Sequence, residues 1–326
     1  MSNLDPAPDE IECRSSTDRV MVDRLTPRAV PLGGPRAMTV QRTLPQRRRS
    51  LIGAWCFADH YGPDDVSATG GMDVPPHPHT GLATVSWLFA GEIEHRDTMG
   101  THALVRPGEL NLMTAGHGVA HTEVSTADTT VLHGVQLWVA LPAAAADVAP
   151  AFDHYRPEPV RVGPVTARVF LGELFDSRSP VRTHTPLLGA ELLIEAGATA
   201  ELTVDPTYEH GVLVDAGTIA VTGSDTVLDP ADLGYLGTGT DRITLVNTAP
   251  TQARVVLLGG EPLGEEIIMW WNFLGRSHDE IAQSRADWMA HSDRFGQVHG
   301  YQGPVQHLPA PALPTVHLRP RRNDPS

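Results

Sequence analysis

Residues 75–91 read PPHPHTGLATVSWLFAG and residues 107–123 read PGELNLMTAGHGVAHTE. Each stretch carries two metal-type donors spaced two positions apart, His77 with His79 and His121 with Glu123. In a β-strand, residues i and i+2 point to the same face, so each pair presents both side chains on one side of a sheet. Two such strands facing one another inside a barrel would surround a single ion. Pro75, Pro76 and Pro78 stiffen the approach to the first pair, and Gly116 and Gly118 permit a tight turn just before the second. One HxH motif occurs often by chance. Two donor pairs with a strand-and-turn pattern between them point to metal ligation.

The other histidines are weighed against that set. Seven of the sixteen lie between positions 77 and 133. His117 and His133 read as satisfied core groups rather than supports for the ligands, and His95 and His102 flank a hairpin and are expected in solvent. His60 and His210 are isolated in sequence and receive no role. Imidazole with carboxylate suits iron, manganese, nickel, copper or zinc, and three His plus one Glu leave coordination positions open on an octahedral ion.

Outward from this region the chain reads as all-β. It has 28 Pro, 30 Gly and only 6% aromatic residues. Short apolar runs such as Leu132 to Val139 and Val255 to Leu258 suit many short strands joined by turns. With 326 residues, 41% of them hydrophobic, it can fill two ordinary domains. The expected division is an N-terminal metal-binding domain over 16–145 and a linker over 146–164, which takes in most of the connector AAAADVAPAFDHYRPEP at 143–159. A second β domain without ligands follows over 165–262, then a helical segment over 263–300 and a proline-rich tail over 301–326 that is expected to be poorly ordered, like residues 1 to about 15. In the helical segment, Ile281, Ala282, Ala286 and Met289 have amphipathic spacing.

The two β segments also align as an internal repeat. Gly91 pairs with Gly217 and Pro107 with Pro230. Counting from those pins sets Thr203, Asp205, Thr244 and Val246 at the positions of His77, His79, His121 and Glu123, so the second half keeps the scaffold and loses the ligands.

The formal charge of −15 repels phosphate backbones and anionic headgroups, so neither direct nucleic-acid binding nor membrane binding is expected. Two lone cysteines, Cys13 and Cys56, fit a reducing compartment. The N-terminus has no apolar core, and no later stretch approaches membrane-spanning length. The expected location is the cytoplasm.

At DHYGP (59–63), PPHPHTG (75–81), GEIEHRDTMG (91–100), PGELNLMTAGHGVAHTE (107–123) and GGEPLGEEI (259–267) the sequence resembles the pirin family, a branch of the cupin superfamily. The matches recur in the family's order over most of residues 40–295. The resemblance implies two cupin barrels in tandem and iron(II) ligands at His77, His79, His121 and Glu123, the same four residues that strand spacing selects. Ala83, Thr80 and His117 depart from common family residues, which bears on pocket polarity rather than on the ligands.

Some pirins resemble quercetin 2,3-dioxygenases, which open a flavonol ring with dioxygen. The resemblance therefore implies a small aromatic substrate together with dioxygen, and Glu123 as the catalytic proton acceptor. Leu82, Trp87, Phe89, Leu112 and Met113 are pocket candidates, though core packing suits most of them better. The alternative is a redox-sensitive regulator that binds a protein partner through the face near the metal and the run Arg47, Arg48, Arg49. A purely structural metal is the third reading.

Overall fold

The computed structural model describes residues 20–32 and 38–321. Two β-barrels stand in tandem, each made of a seven-stranded and a four-stranded antiparallel sheet, as expected for a double cupin. In the first barrel the larger sheet is centred on Leu82–Ala90, Val131–Ala140 and Trp55–Asp65, and the smaller holds Asp73–His79, Val119–Ser125, Ile93–Asp97 and His102–Val105. Asp73–His79 lies at the edge of its sheet. That position explains its three prolines, because an edge strand can lack N–H donors on its open side. Cys13 lies outside the described residues, whereas Cys56 is buried and its thiol is pushed up to about 12 by burial, which keeps it protonated and inert.

The chain ties the barrels together by crossing between them. Asp23–Leu25 pairs with Leu233–Leu236 of the second barrel, while the next strand, Arg28–Leu32, joins the first. Within the stretch read as a linker, Ala151–Tyr155 pairs with Leu110–Thr114 of the first barrel and Val160–Val162 with Val165–Leu171 of the second. A shared core forms where the larger sheets meet, with Trp55, Trp87 and Leu137 against Phe170, Leu213 and Val256. The rings of Trp87 and Phe170 are 4.6 Å apart. Trp87 and Leu112 therefore belong to the inter-barrel core.

Strand register corrects the repeat alignment. Ser125 pairs with Ile93 and Asn247 with Ile219, the first residue of each equivalent strand. Stepping back four residues sets Ile243 at the place of His121, and its cross-strand partner Leu202 at the place of His77. The positions of the second barrel equivalent to the four candidate ligands are thus Leu202, Val204, Ile243 and Leu245, at 0%, 8%, 1% and 0% exposure. Thr203 and Asp205 are exposed. A one-residue slip exchanges the faces of a strand, which is why polar residues appeared in the alignment where the barrel holds hydrocarbon.

The C-terminal segment begins with a hairpin, Ile268–Trp270 with Phe273–Gly275, and continues as a helix over His278–Met289. Ser277 caps the helix by accepting from the Glu280 N–H. Its buried face is Ile281, Ser284 and Trp288, whereas Ala286 and Met289 are exposed, which rotates the apolar stripe from the expected one. The tail is not loose over its described part. Tyr301 donates to Asp73 at 2.7 Å, the Leu308 N–H donates to the Pro76 carbonyl at 2.8 Å, and Ala310 is buried. Among the described residues no helix is long and apolar enough to cross a membrane.

Candidate metal centre

His77, His79 and His121 are all buried, and their donor atoms lie within 4.8 Å of one another. His121 sits directly across the strand pair from His77. The register then shifts between His121 and Glu123, so Glu123 faces Val74 rather than Pro75. Such bulges re-aim side chains beside sites. The Glu123 carboxylate is not part of the tight three-histidine set. It lines the same cavity as His77 and His79 and accepts from the Ser86 hydroxyl at 3.3 Å. The turn preceding His121 depends on Gly116, at φ +52°, where a Cβ would lie 1.9 Å from the Val148 carbonyl oxygen.

The electrostatics keep these rings neutral. Burial lowers the His77 pKa to about 4, opposed by the hydrogen bond to the Pro75 carbonyl. Burial, then the neighbouring imidazoles, puts His79 and His121 well below the ordinary histidine range. Burial raises the Glu123 pKa, moderated by His95 and by hydrogen bonds from Ser86 and Gln136. The Nδ1 of His77 lies 2.9 Å from the Pro75 carbonyl. It must donate there, which leaves the Nε2 lone pair for a ligand role. Three neutral imidazoles with a carboxylate beside them fit a divalent metal of the borderline class.

Behind His121 stands a residue that the sequence placed in solvent. His95 is buried, with its Nδ1 3.3 Å from the Nδ1 of His121 and its Nε2 3.2 Å from Asp97. A chain runs from Asp97 through His95 to His121 and orients the His121 ring, and the only sequence signal for it was the alternation that puts His95 and Asp97 on one face. His117 is exposed at the turn, with its ring on the Val148 carbonyl, so it is not a core group.

The cavity lined by His77, His79 and Glu123 measures about 450 Å³. Its walls include Phe57, Tyr61, Met72, Trp138, Trp271 and Leu308, not Leu82, Trp87, Phe89, Leu112 or Met113. Phe57 and Trp138 stack at 4.0 Å, and Arg42 makes a two-pronged pair with Asp59, both bonds at 2.7 Å.

His60, His133 and Asp215 make a second close set, at the contact between barrels. His60 Nε2 and His133 Nε2 lie 2.6 Å and 2.5 Å from the same Asp215 oxygen, and Arg254 lies 3.0 Å from the other. Donors sharing a small metal at bond lengths near 2 Å stand about 3 Å or more apart. These shorter separations, with a guanidinium on the same carboxylate, are those of a hydrogen-bonded clamp.

Residues 37–139 match the family signature described as pirin, and residues 189–296 match that of the pirin C-terminal cupin domain. The chain belongs to the pirin family. A Pseudomonas aeruginosa relative with a provisional quercetin 2,3-dioxygenase name is 44% identical over 96% of this chain and 98% of its own length. A pirin-like protein of Caulobacter vibrioides is 37% identical over 77% of this chain and 88% of its own. Among solved structures, a quercetin 2,3-dioxygenase from Acinetobacter baumannii superposes with a TM-score of 0.85 at 36% identity, covering 93% of this chain and 98% of that one. Membership in this family and the three-histidine cluster together support a divalent metal cofactor.

Proposed function

We propose that this pirin is a mononuclear metal-dependent dioxygenase of the quercetin 2,3-dioxygenase type, acting on a flavonol or similar enol. The observation that carries the reading is a triad of buried, neutral histidines, two of which, His77 and His79, line a cavity of about 450 Å³ with aromatic walls, with His121 behind them. Its volume falls in the range of small-molecule sites, and a flat ring can lie against the partly exposed Trp271 ring in its wall.

His77, His79 and His121 would hold the metal, with Glu123 as a further ligand, and iron(II) is the metal we assign. When bound, the ion supplies positive charge that lowers the pKa of an enol hydroxyl and open positions for substrate and dioxygen. Glu123 takes the hydroxyl proton. Burial strengthens it as a base at neutral pH, and Ser86 holds one of its oxygens. Burial of the cavity floor keeps bulk water from the deprotonated substrate.

The test is metal analysis joined to oxygen uptake on quercetin, for wild type and His121→Ala. One equivalent of iron with uptake that the substitution abolishes supports the proposal. Bound metal without uptake removes the dioxygenase and leaves a metal-dependent regulator.

A further inference from the structure

Every one of the 24 basic side chains in this chain is arginine, against 39 acidic residues. In so acidic a protein the basic groups would be expected to be scattered and paired. Five of them, Arg28, Arg47, Arg48, Arg319 and Arg321, instead line a single cleft of about 990 Å³ together with His317, and none of its described lining residues is Asp or Glu. Arg49 of the same run turns away. It is buried, 3.7 Å from Glu209 and stacked over Tyr235 at 3.6 Å, and so serves the packing of the barrels. Only Arg47 and Arg48 of the run reach the cleft.

The arginines arrive from separate parts of the chain. Arg28 comes from the edge strand Arg28–Leu32 and Arg47 and Arg48 from the loop after Met38–Leu44. Arg319 and Arg321 come from the tail, which is held in place by reciprocal backbone bonds between Ile267 and Arg321 of 3.0 and 2.9 Å. Arg48 meets Asp23 at 3.1 Å. The side chains of Arg28, Arg47, Arg319 and Arg321 form no ion pair within 4.0 Å among the described residues. Four like charges gathered with no ion pair among the described residues repel one another, and guanidinium forks match the paired oxygens of carboxylate, sulfate or phosphate. The cleft also runs on into the metal cavity, since Arg28, Pro45 and Met269 line both.

We propose that this cleft is an anion-recognition subsite, taking a carboxylate, sulfate or phosphate group on a small ligand whose aromatic or enol end enters the metal cavity. The continuity rests on reading that cavity as the substrate pocket, whereas the anion site itself does not. The substrate class is then an anionic conjugate rather than a neutral flavonol. A concave cleft in a chain of net charge −15 suits a small anion better than a nucleic-acid duplex.

Two binding measurements, neither requiring turnover, test this. Calorimetric titration of full-length protein with pyrophosphate at low ionic strength should show binding that weakens at least about tenfold in the Arg47→Gln/Arg319→Gln double variant. Both side chains are exposed, so the variant should melt with the wild type. No binding by wild type, or equal binding by the variant, overturns the anion site. Tryptophan quenching under anaerobic conditions should then show quercetin 3′-sulfate binding wild type about tenfold more tightly than quercetin, with the preference lost in the variant. Equal affinities in wild type overturn the continuity with the cavity. Pyrophosphate binding with no binding of either flavonol upholds the anion site and refutes the flavonol reading.

Discussion

The Nε2 atoms of His79 and His121 lie 3.1 Å apart, although the residues are 42 positions apart in sequence. That separation is near the spacing of two donors on one small ion. Replacing either histidine with alanine should reduce bound metal from one equivalent to below about a tenth by mass spectrometric analysis. Near-ultraviolet circular dichroism should persist, because the hydrophobic cores of both barrels close without these side chains.

His95→Phe removes the acceptor behind His121 while keeping a flat ring where Phe152 already packs at 4.9 Å. Metal affinity measured by chelator competition should fall by roughly 10–100-fold, with all candidate ligands still present. Unchanged affinity would show that the Asp97–His95 chain does not orient His121.

Asp215→Asn tests the clamp between barrels. Burial opposes ionisation of Asp215, but hydrogen bonds from His133 and His60 hold its pKa below the usual carboxylate range. Removing this charge leaves His60, His133 and Arg254 facing a neutral amide. The cost should be about 3–5 kcal/mol, seen as a lower urea midpoint. Metal content of the folded protein should be unaffected.

His210 gives the stability a pH dependence. It is buried, neither ring nitrogen has a hydrogen-bond partner among the described residues, and burial lowers its pKa to about 4. The unfolded state binds a proton near pH 6.5 and the folded state only near 4, so stability is full above 6.5 and declines as pH falls toward 4. Between pH 7 and pH 5 this group should cost about 2 kcal/mol in urea unfolding. His210→Leu should remove that part of the slope.

Much of this was legible in the sequence because it depends on local periodicity. The spacing of His77 with His79 and of His121 with Glu123 placed each pair on one strand face, and the Pro and Gly content with short apolar runs indicated strands and turns. The helix after Ser277 was likewise recoverable, though not its buried face, which is set by contact with the hairpin and the tail rather than by the helix's own pattern.

What the tertiary structure alone decided depends on partners distant in the chain. His95 became a support for His121 only through strand pairing, and Asp215 reached His60 and His133 only through the packing of one barrel on the other. Arg47 and Arg319 line one cleft because the tail returns to the first barrel. The same cause explains the repeat that slipped by one. Loop lengths that differ by one residue between the barrels set the cross-strand register, and with a side-chain period of two, only the paired strands reveal that Leu202, Val204, Ile243 and Leu245 fill the second barrel where the first presents its donors.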